Sequence, residues 1–160
     1  MKNPDQKLRI LFVCHGNICR SPMAEFIMKE LVRRACLEDS FAISSAAVSY
    51  EEQGNSLYPP AAAKLREKGI PFTAHAAHRI TPAEAAGADL IIIMDRSNER
   101  LLKRIIKPED FVKIRYMMEF AGFPGREVSD PWFTGNFEST FRDLDAACRG
   151  LLEYAQVNII

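Results

Sequence analysis

The chain has 160 residues, of which 48% are hydrophobic, so it can bury one sizeable core, and we expect a single domain over residues 1–160. Its 21 Lys and Arg residues balance its 21 Asp and Glu residues, which argues against a nucleic-acid partner and against attraction to an anionic membrane. The apolar runs are shorter than the roughly 18 residues of a membrane span and the N-terminus is polar, which predicts a cytoplasmic protein.

The first half of the chain alternates short apolar runs with segments of helical period. Residues 8–13 are predicted to form a buried strand, and residues 22–35 a helix. A second strand is predicted over residues 41–48. The next helix starts with a proline pair and ends before a glycine, which predicts a helix within residues 59–69.

The second half continues the alternation. Thr81 and Glu84 form a predicted capping box for a short helix that begins at Pro82. The remaining predicted elements are a strand over 89–94, a helix capped by Ser97, a weaker strand over 111–117, a loop over 121–136 and a long helix over 137–154. Strands that alternate with helices predict an α/β fold in three layers, with a four-stranded parallel sheet flanked by helices.

The segment VCHGNICRSP, residues 13–22, connects the first strand to the first helix, where parallel sheets place their sites. Gly16 and Asn17 can adopt positive φ, so the loop can turn successive backbone N–H groups inward. Ser21 and Pro22 begin a helix whose N-terminus adds partial positive charge. We therefore predict a phosphate-binding loop made by His15, Gly16, Asn17, Ile18, Cys19 and Ser21, with oxyanions such as phosphate as ligands.

Cys14 is predicted to lie at the floor of this loop, where the N–H donors, the helix terminus and Arg20 all favour the thiolate over the thiol. The planar guanidinium of Arg20 can hold two oxygens of a phosphoryl group. The thiolate would attack phosphorus while Arg20 and the loop stabilise the transition state.

The four cysteines, at positions 14, 19, 36 and 148, show neither a CxxC pair nor a histidine at zinc-site spacing. We therefore expect reduced thiols, no metal and no cofactor. Cys19 lies in the same loop as Cys14 and is predicted to be close enough to form a disulfide with it after oxidation.

The cysteine loop resembles the signature of the low-molecular-weight protein tyrosine phosphatases, V-C-x-G-N-x-C-R-S-P near the N-terminus. The resemblance extends along nearly the whole chain and implies an acid in an Asp-Pro-aromatic-aromatic motif, which Asp130-Pro131-Trp132-Phe133 matches. The implied activity is metal-independent hydrolysis of phosphotyrosine in proteins through a phosphocysteine intermediate. An acid is also required chemically, because a phenolate with a pKa near 10 leaves slowly unless it is protonated.

Other segments match the family in supporting roles. Trp132 and Phe133 are predicted to wall the cleft, and Tyr50 is a further candidate, although it stands one position before the family's aromatic residue and Glu51 takes that place. His75 matches a histidine that contacts the loop asparagine, here Asn17. MDRSN, residues 94–98, matches the end of the family's third strand, and we interpret its polar residues as structural.

Three alternatives remain open at this stage. A thiol-dependent arsenate reductase on the same scaffold uses two further cysteines on a mobile loop, and residues 72–95 contain none. A protein-arginine phosphatase resembles this family but carries Thr where this chain has Ile18, and the aliphatic side chain favours a phenol. A non-catalytic phosphoanion-binding module would not require Cys14, Arg20 and Asp130 together.

Overall fold

The computed structural model describes residues 5–160, and four parallel strands form its central sheet. The strands are β1 (Leu8–Cys14), β2 (Phe41–Ala47), β3 (Leu90–Ile93) and β4 (Ile114–Tyr116). They are ordered β2-β1-β3-β4, and every neighbouring pair is parallel. The predicted α/β fold with a four-stranded parallel sheet is confirmed.

Helices cover both faces of the sheet. They are α1 (Arg20–Arg34), α2 (Pro59–Glu67), α3 (Pro82–Gly87), α4 (Arg96–Leu102), α5 (Pro131–Thr134) and α6 (Phe137–Asn158). Three 3₁₀ turns lie at Glu38–Ser40, Pro108–Lys113 and Met117–Ala121. None of the helices within residues 5–160 is both long enough and apolar enough to cross a membrane.

The alternation of side chains along β1 divides the core into two layers. Ile10 and Phe12 point to the layer that α1 and α6 cover, whereas Leu11 and Val13 point to the layer beneath α3 and α4. Both faces of β1 are therefore buried, which explains why its sequence is a continuous apolar run rather than an alternating one.

The helix boundaries in the second half of the chain correct three sequence predictions. The N-cap of α4 is Asp95 rather than Ser97, because α4 begins at Arg96, directly after the turn that follows β3, and the Asp95 carboxylate accepts from the N–H of Asn98 at 2.8 Å. The predicted loop over 121–136 contains α5, whose first turn Asp130 caps. The last helix, α6, runs beyond its predicted end to Asn158.

The buried stripe of α6 packs against α1 and against the 3₁₀ turn at Met117–Ala121. Leu144, Ala147, Cys148 and Leu151 are buried in this stripe, and Leu152 beside them is only partly buried. Gly150 lies where α6 passes the backbone of this turn, and a Cβ at that position would lie 1.8 Å from the carbonyl oxygen of Phe120. Glycine is required there for close approach of two backbone segments.

We expect Gly150→Ala to lower the thermal unfolding midpoint, because the backbone of the turn or of α6 must shift, at a cost of about 1–3 kcal/mol. Gly87→Ala is the matched control, since a Cβ on Gly87 meets nothing within 4 Å. That control should be neutral or slightly stabilising. Equal midpoints for the two variants would show that α6 does not need glycine at position 150.

Candidate active site

The loop between β1 and α1 has a positive φ at one of the two residues where the sequence allowed it. Asn17 has φ 62°, in the left-handed region that asparagine tolerates. Gly16 does not have a positive φ, which corrects the sequence prediction. Glycine serves there to leave space, because a Cβ would lie 3.2 Å from Cγ of Glu52.

The sulfur of Cys14 is buried at the floor of the loop and is surrounded by hydrogen-bond donors. The backbone N–H groups of Asn17 and Ser21 point at Sγ from 3.3 and 3.4 Å, and the Ser21 hydroxyl lies 3.0 Å from it. Helix α1 begins at Arg20, two residues earlier than predicted, so its N-terminus directly faces the sulfur. These donors stabilise a negative charge on Cys14.

A buried polar network holds the loop from below. The Asn17 side chain donates from Nδ2 to the hydroxyls of Ser21, at 2.8 Å, and Ser45, at 3.0 Å. Ser45 in turn donates to the carboxylate of Glu25 at 2.6 Å. Because Asn17 is fully buried, these bonds fix both its left-handed backbone and the direction of its N–H.

The predicted contact between His75 and Asn17 is present, with Nε2 of His75 2.7 Å from the backbone oxygen of Asn17. The backbone N–H of His78 donates to Oδ1 of Asn17 at 3.3 Å, and the ring of His78 pairs with Glu84 instead. The two histidines therefore add two further hydrogen bonds to Asn17.

Arg20 is almost fully buried and is held by groups that follow other strands. Its Nη1 donates to Asp95 at 2.7 Å and to the carbonyl of Val128 at 2.9 Å, while Nη2 lies 3.5 Å from Asp130. Burial alone would lower the pKa of Arg20, but the charge of Cys14 and the hydrogen bond with Asp95 outweigh it and raise the pKa. Arg20 therefore stays charged beside the sulfur.

Sequence reasoning assigned Asp95 only a local structural role and missed its contact with Arg20. The available signal was positional, since Asp95 follows β3 and the carboxyl ends of neighbouring parallel strands lie at one edge of the sheet.

Asp130 lies across the cavity from the loop and caps α5. Its Oδ1 accepts from the N–H of Trp132 at 3.0 Å, which leaves Oδ2 directed toward Arg20. The preceding segment is tied to β3 by a hydrogen bond of 2.9 Å from the N–H of Val128 to the carbonyl of Met94. The structure therefore brings the predicted nucleophile, arginine and acid together.

One cavity contains these groups. It is lined by Cys14, His15, Gly16, Asn17, Ile18, Cys19, Arg20, Glu51, Glu52, Asp130, Trp132 and Phe133. Ser21 and His75 lie beneath the loop and contact its residues without lining the cavity. No group of three or more side chains with metal-ligand geometry occurs in the part of the chain that the structure describes.

Tyr50 does not line the cavity, which corrects its prediction as part of the cleft wall. Its ring stacks on the guanidinium of Arg79, 4.6 Å away, and its hydroxyl accepts from Arg79 at 3.1 Å. This pairing turns the ring outward. Glu51 and Glu52 line the cavity in place of Tyr50, beside the predicted Trp132 and Phe133. Glu51 also pairs with His15 at 3.0 Å.

Cys19 is buried with Ile18 and Ala77 in a small apolar cluster. Burial raises the pKa of Cys19 well above its ordinary value, and the nearby charge of Cys14 raises it further. Cys19 is therefore a neutral thiol at physiological pH. Its disulfide with an oxidised Cys14 stays a prediction.

Comparisons with known proteins are consistent across nearly the whole chain. A sequence profile of the family described as low molecular weight phosphotyrosine protein phosphatase matches residues 9–159. A low molecular weight phosphotyrosine protein phosphatase of Sus scrofa is 39% identical over 90% of this chain and 93% of the relative. The low molecular weight protein-tyrosine-phosphatase YfkJ of Bacillus subtilis is 32% identical over 93% and 96%. The crystal structure of YfkJ superposes with a TM-score of 0.92, at 31% identity and with 97% and 98% of the two chains covered.

We expect Asp95→Asn to reduce both activity and stability, because an amide in place of Oδ2 can no longer neutralise the buried Arg20. Removing one partner of a buried ion pair costs about 3–5 kcal/mol. Asp143→Asn is the matched control, since Asp143 pairs with the half-exposed Arg126 outside the cavity. The measurements are p-nitrophenyl phosphate turnover and thermal unfolding. Wild-type values for Asp95→Asn would show that the ion pair with Asp95 does not hold Arg20 in place.

Proposed function

Because the chain belongs to the low molecular weight phosphotyrosine protein phosphatase family, we propose that Cys14, Arg20 and Asp130 carry out its hydrolysis of phosphotyrosine in proteins. The chain is a protein-tyrosine phosphatase, as its relatives at 32% and 39% identity are. The observation that carries the proposed mechanism is the buried Cys14 sulfur with three donors within 3.4 Å, in one cavity with Asp130.

In the first step, the Cys14 thiolate attacks phosphorus. A sulfur–phosphorus bond forms while the bond between phosphorus and the tyrosine oxygen breaks, and Asp130 gives its proton to that oxygen. The nearness of Asp130 to the transferring group supports this role, because its Oδ2 lies 3.5 Å from Nη2 of Arg20, which we propose holds a phosphoryl oxygen.

In the second step, water attacks the phosphorus of the phosphocysteine. Asp130, now a carboxylate, takes a proton from the water as the sulfur–phosphorus bond breaks. Inorganic phosphate forms and the Cys14 thiolate returns to its donors. Asp130 ends the cycle protonated, as it began.

Arg20 and the loop carry the charge of the transferring phosphoryl group. Asp95 and Val128 occupy Nη1 of Arg20, so Nε and Nη2 form the edge of the guanidinium that can hold two phosphoryl oxygens. The loop N–H groups and the N-terminus of α1 face the third oxygen. These groups supply the positive charge that a metal ion supplies in other phosphatases, so the proposed reaction is metal-independent.

The wider setting is also a proposal. We propose that residues 1–160 act as a single domain, that inorganic phosphate binds the loop as product and inhibitor, and that the protein works in the cytoplasm. A reducing compartment suits an enzyme whose nucleophile is a thiolate, because oxidation of Cys14 would stop the first step.

We predict that Cys14→Ser reduces p-nitrophenyl phosphate turnover below about a hundredth of the wild-type rate, since a serine hydroxyl is not ionised at neutral pH. Phosphate affinity should persist because the loop donors remain. Cys36→Ser, at an exposed cysteine, is the control and should retain full turnover. Substantial residual activity in Cys14→Ser would remove Cys14 from the role of nucleophile.

Asp130→Asn should preserve the cap of α5, because an amide oxygen can still accept from the N–H of Trp132. It cannot supply a proton, so the loss should grow as the leaving phenol becomes less acidic, up to about 10²- to 10⁴-fold. The measurement compares kcat/KM for a phosphotyrosine peptide and for p-nitrophenyl phosphate. Equal losses on both substrates would show that Asp130 does not protonate the leaving group.

Ile18 lines the cavity and is the residue predicted to select the phenol. Its branched side chain can pack on a flat aromatic ring, whereas a threonine hydroxyl offers a polar contact to a guanidinium. We expect the wild type to prefer phosphotyrosine over phosphoarginine peptides by roughly ten- to thirtyfold in kcat/KM, and Ile18→Thr to narrow the preference. A higher kcat/KM for phosphoarginine would overturn the assigned substrate but not the roles of Cys14 and Arg20.

A further inference from the structure

Tyr58 touches both loops that make the active site. It stands immediately before α2, and its backbone N–H donates to the carbonyl of Ile18 in the phosphate-binding loop at 3.0 Å. Its ring lies 4.8 Å from the ring of Trp132, in the segment of the proposed acid, and 6.0 Å from the ring of Phe137.

The segment that carries Asp130 has little structure of its own. Helix α5 is four residues long, and so short a helix is not stable without tertiary contacts. Residues before Asp130 are held by Met94 and Arg20, which bond the backbone of Val128. On the other side of Asp130, the Tyr58 ring is the only aromatic partner of Trp132 among residues 5–160.

The contact between Tyr58 and Trp132 is linked to the Asp130 carboxylate through one hydrogen bond. The N–H of Trp132 donates to Oδ1 of Asp130, so the position of Trp132 decides where Oδ2 points. Trp132 is half-exposed and Phe133 is 84% exposed, so burial alone does not hold this part of the segment. An aromatic pair at this separation contributes both apolar contact and a preferred geometry.

We propose that Tyr58 is a positioning residue of this phosphatase, whose ring fixes Trp132 and thereby orients Asp130 over the phosphate-binding loop. This inference rests on the proposed role of Asp130 as the acid. A misplaced acid costs most where the leaving group depends on it, since displacement by about 1 Å can reduce a rate by about 10²-fold. Loss of the Tyr58 ring should therefore resemble a milder Asp130→Asn.

The test compares phenyl phosphate, whose leaving group needs protonation, with p-nitrophenyl phosphate, whose leaving group needs it far less. For Tyr58→Leu, we expect the ratio of kcat/KM for phenyl phosphate to that for p-nitrophenyl phosphate to fall by roughly tenfold. Tyr58→Phe should retain the wild-type ratio, because the stacking uses the ring. Both variants keep the backbone N–H to Ile18, so the experiment isolates the side chain.

Tyr154→Leu is the matched control. Tyr154 stacks on Phe120 with ring centroids 5.4 Å apart, outside the cavity, and its loss should leave the ratio unchanged. If Tyr58→Leu does not fold, Trp132→Leu removes the same contact from its half-exposed partner and should lower the ratio in the same way.

Asp130→Asn separates failure of this inference from failure of the proposed function. If Asp130→Asn lowers the ratio and Tyr58→Leu does not, the positioning role is overturned and the acid stands. If Asp130→Asn leaves the ratio unchanged, the acid role is overturned, and the positioning role with it. Adding Tyr58→Leu to Asp130→Asn should lower the ratio no further, and a further tenfold fall would show that Tyr58 acts by another route.

Discussion

The hydrogen bonds to the Cys14 sulfur are the interaction on which the rest of the site depends. The proposed reaction requires a negative charge on this almost fully buried sulfur, and such a charge is costly unless donors surround it. The donors here are backbone N–H groups and a hydroxyl at 3.0–3.4 Å, so their positions are set by the path of the loop. Asn17 must remain left-handed, and the polar network with Ser45 and Glu25 holds it there.

The order of the strands explains how distant segments reach this sulfur. Because β3 lies next to β1, Asp95 lies beside the start of α1 and accepts a hydrogen bond from Arg20. The backbone bond from Val128 to Met94 brings the segment of Asp130 to the same edge. The charge of Cys14 and the hydrogen bond with Asp95 keep Arg20 charged, and in the proposed reaction Arg20 presents its remaining N–H groups to a phosphoryl dianion. One buried cation thus links three segments that lie far apart in the sequence.

Local patterns were sufficient to predict the fold and the loop from Cys14 to Arg20, whereas the position of Asp130 was implied by the resemblance to the family. The apolar runs predicted the strands, and the cysteine-to-arginine spacing predicted the loop, because its geometry is determined within a few residues. Side-chain directions that depend on distant partners were not predictable in this way. Arg20 and Asp95 are 75 residues apart, and Tyr50 turns outward because Arg79 lies beside it in space.

Two other differences had signals in the sequence. Asp130 followed by Pro131, with Gly135 soon after, is a typical start and stop of a short helix, and α5 is that helix. Gly16 was expected to provide a positive φ, whereas the structure uses its missing Cβ to admit Glu52. A glycine in a loop can therefore indicate either close approach or an unusual backbone angle, and the neighbouring segment decides which.

The central claim is that Cys14 itself receives the phosphoryl group, and a rapid denaturing quench during turnover tests it most directly. p-Nitrophenyl phosphate that carries the radiolabel on phosphorus is a suitable substrate. Its leaving group needs little help from the acid in the first step, which favours accumulation of the phosphocysteine. The account predicts label on the peptide that contains Cys14, with none in Cys14→Ser. Label on His15 or any other residue, or undiminished label in Cys14→Ser, would contradict it.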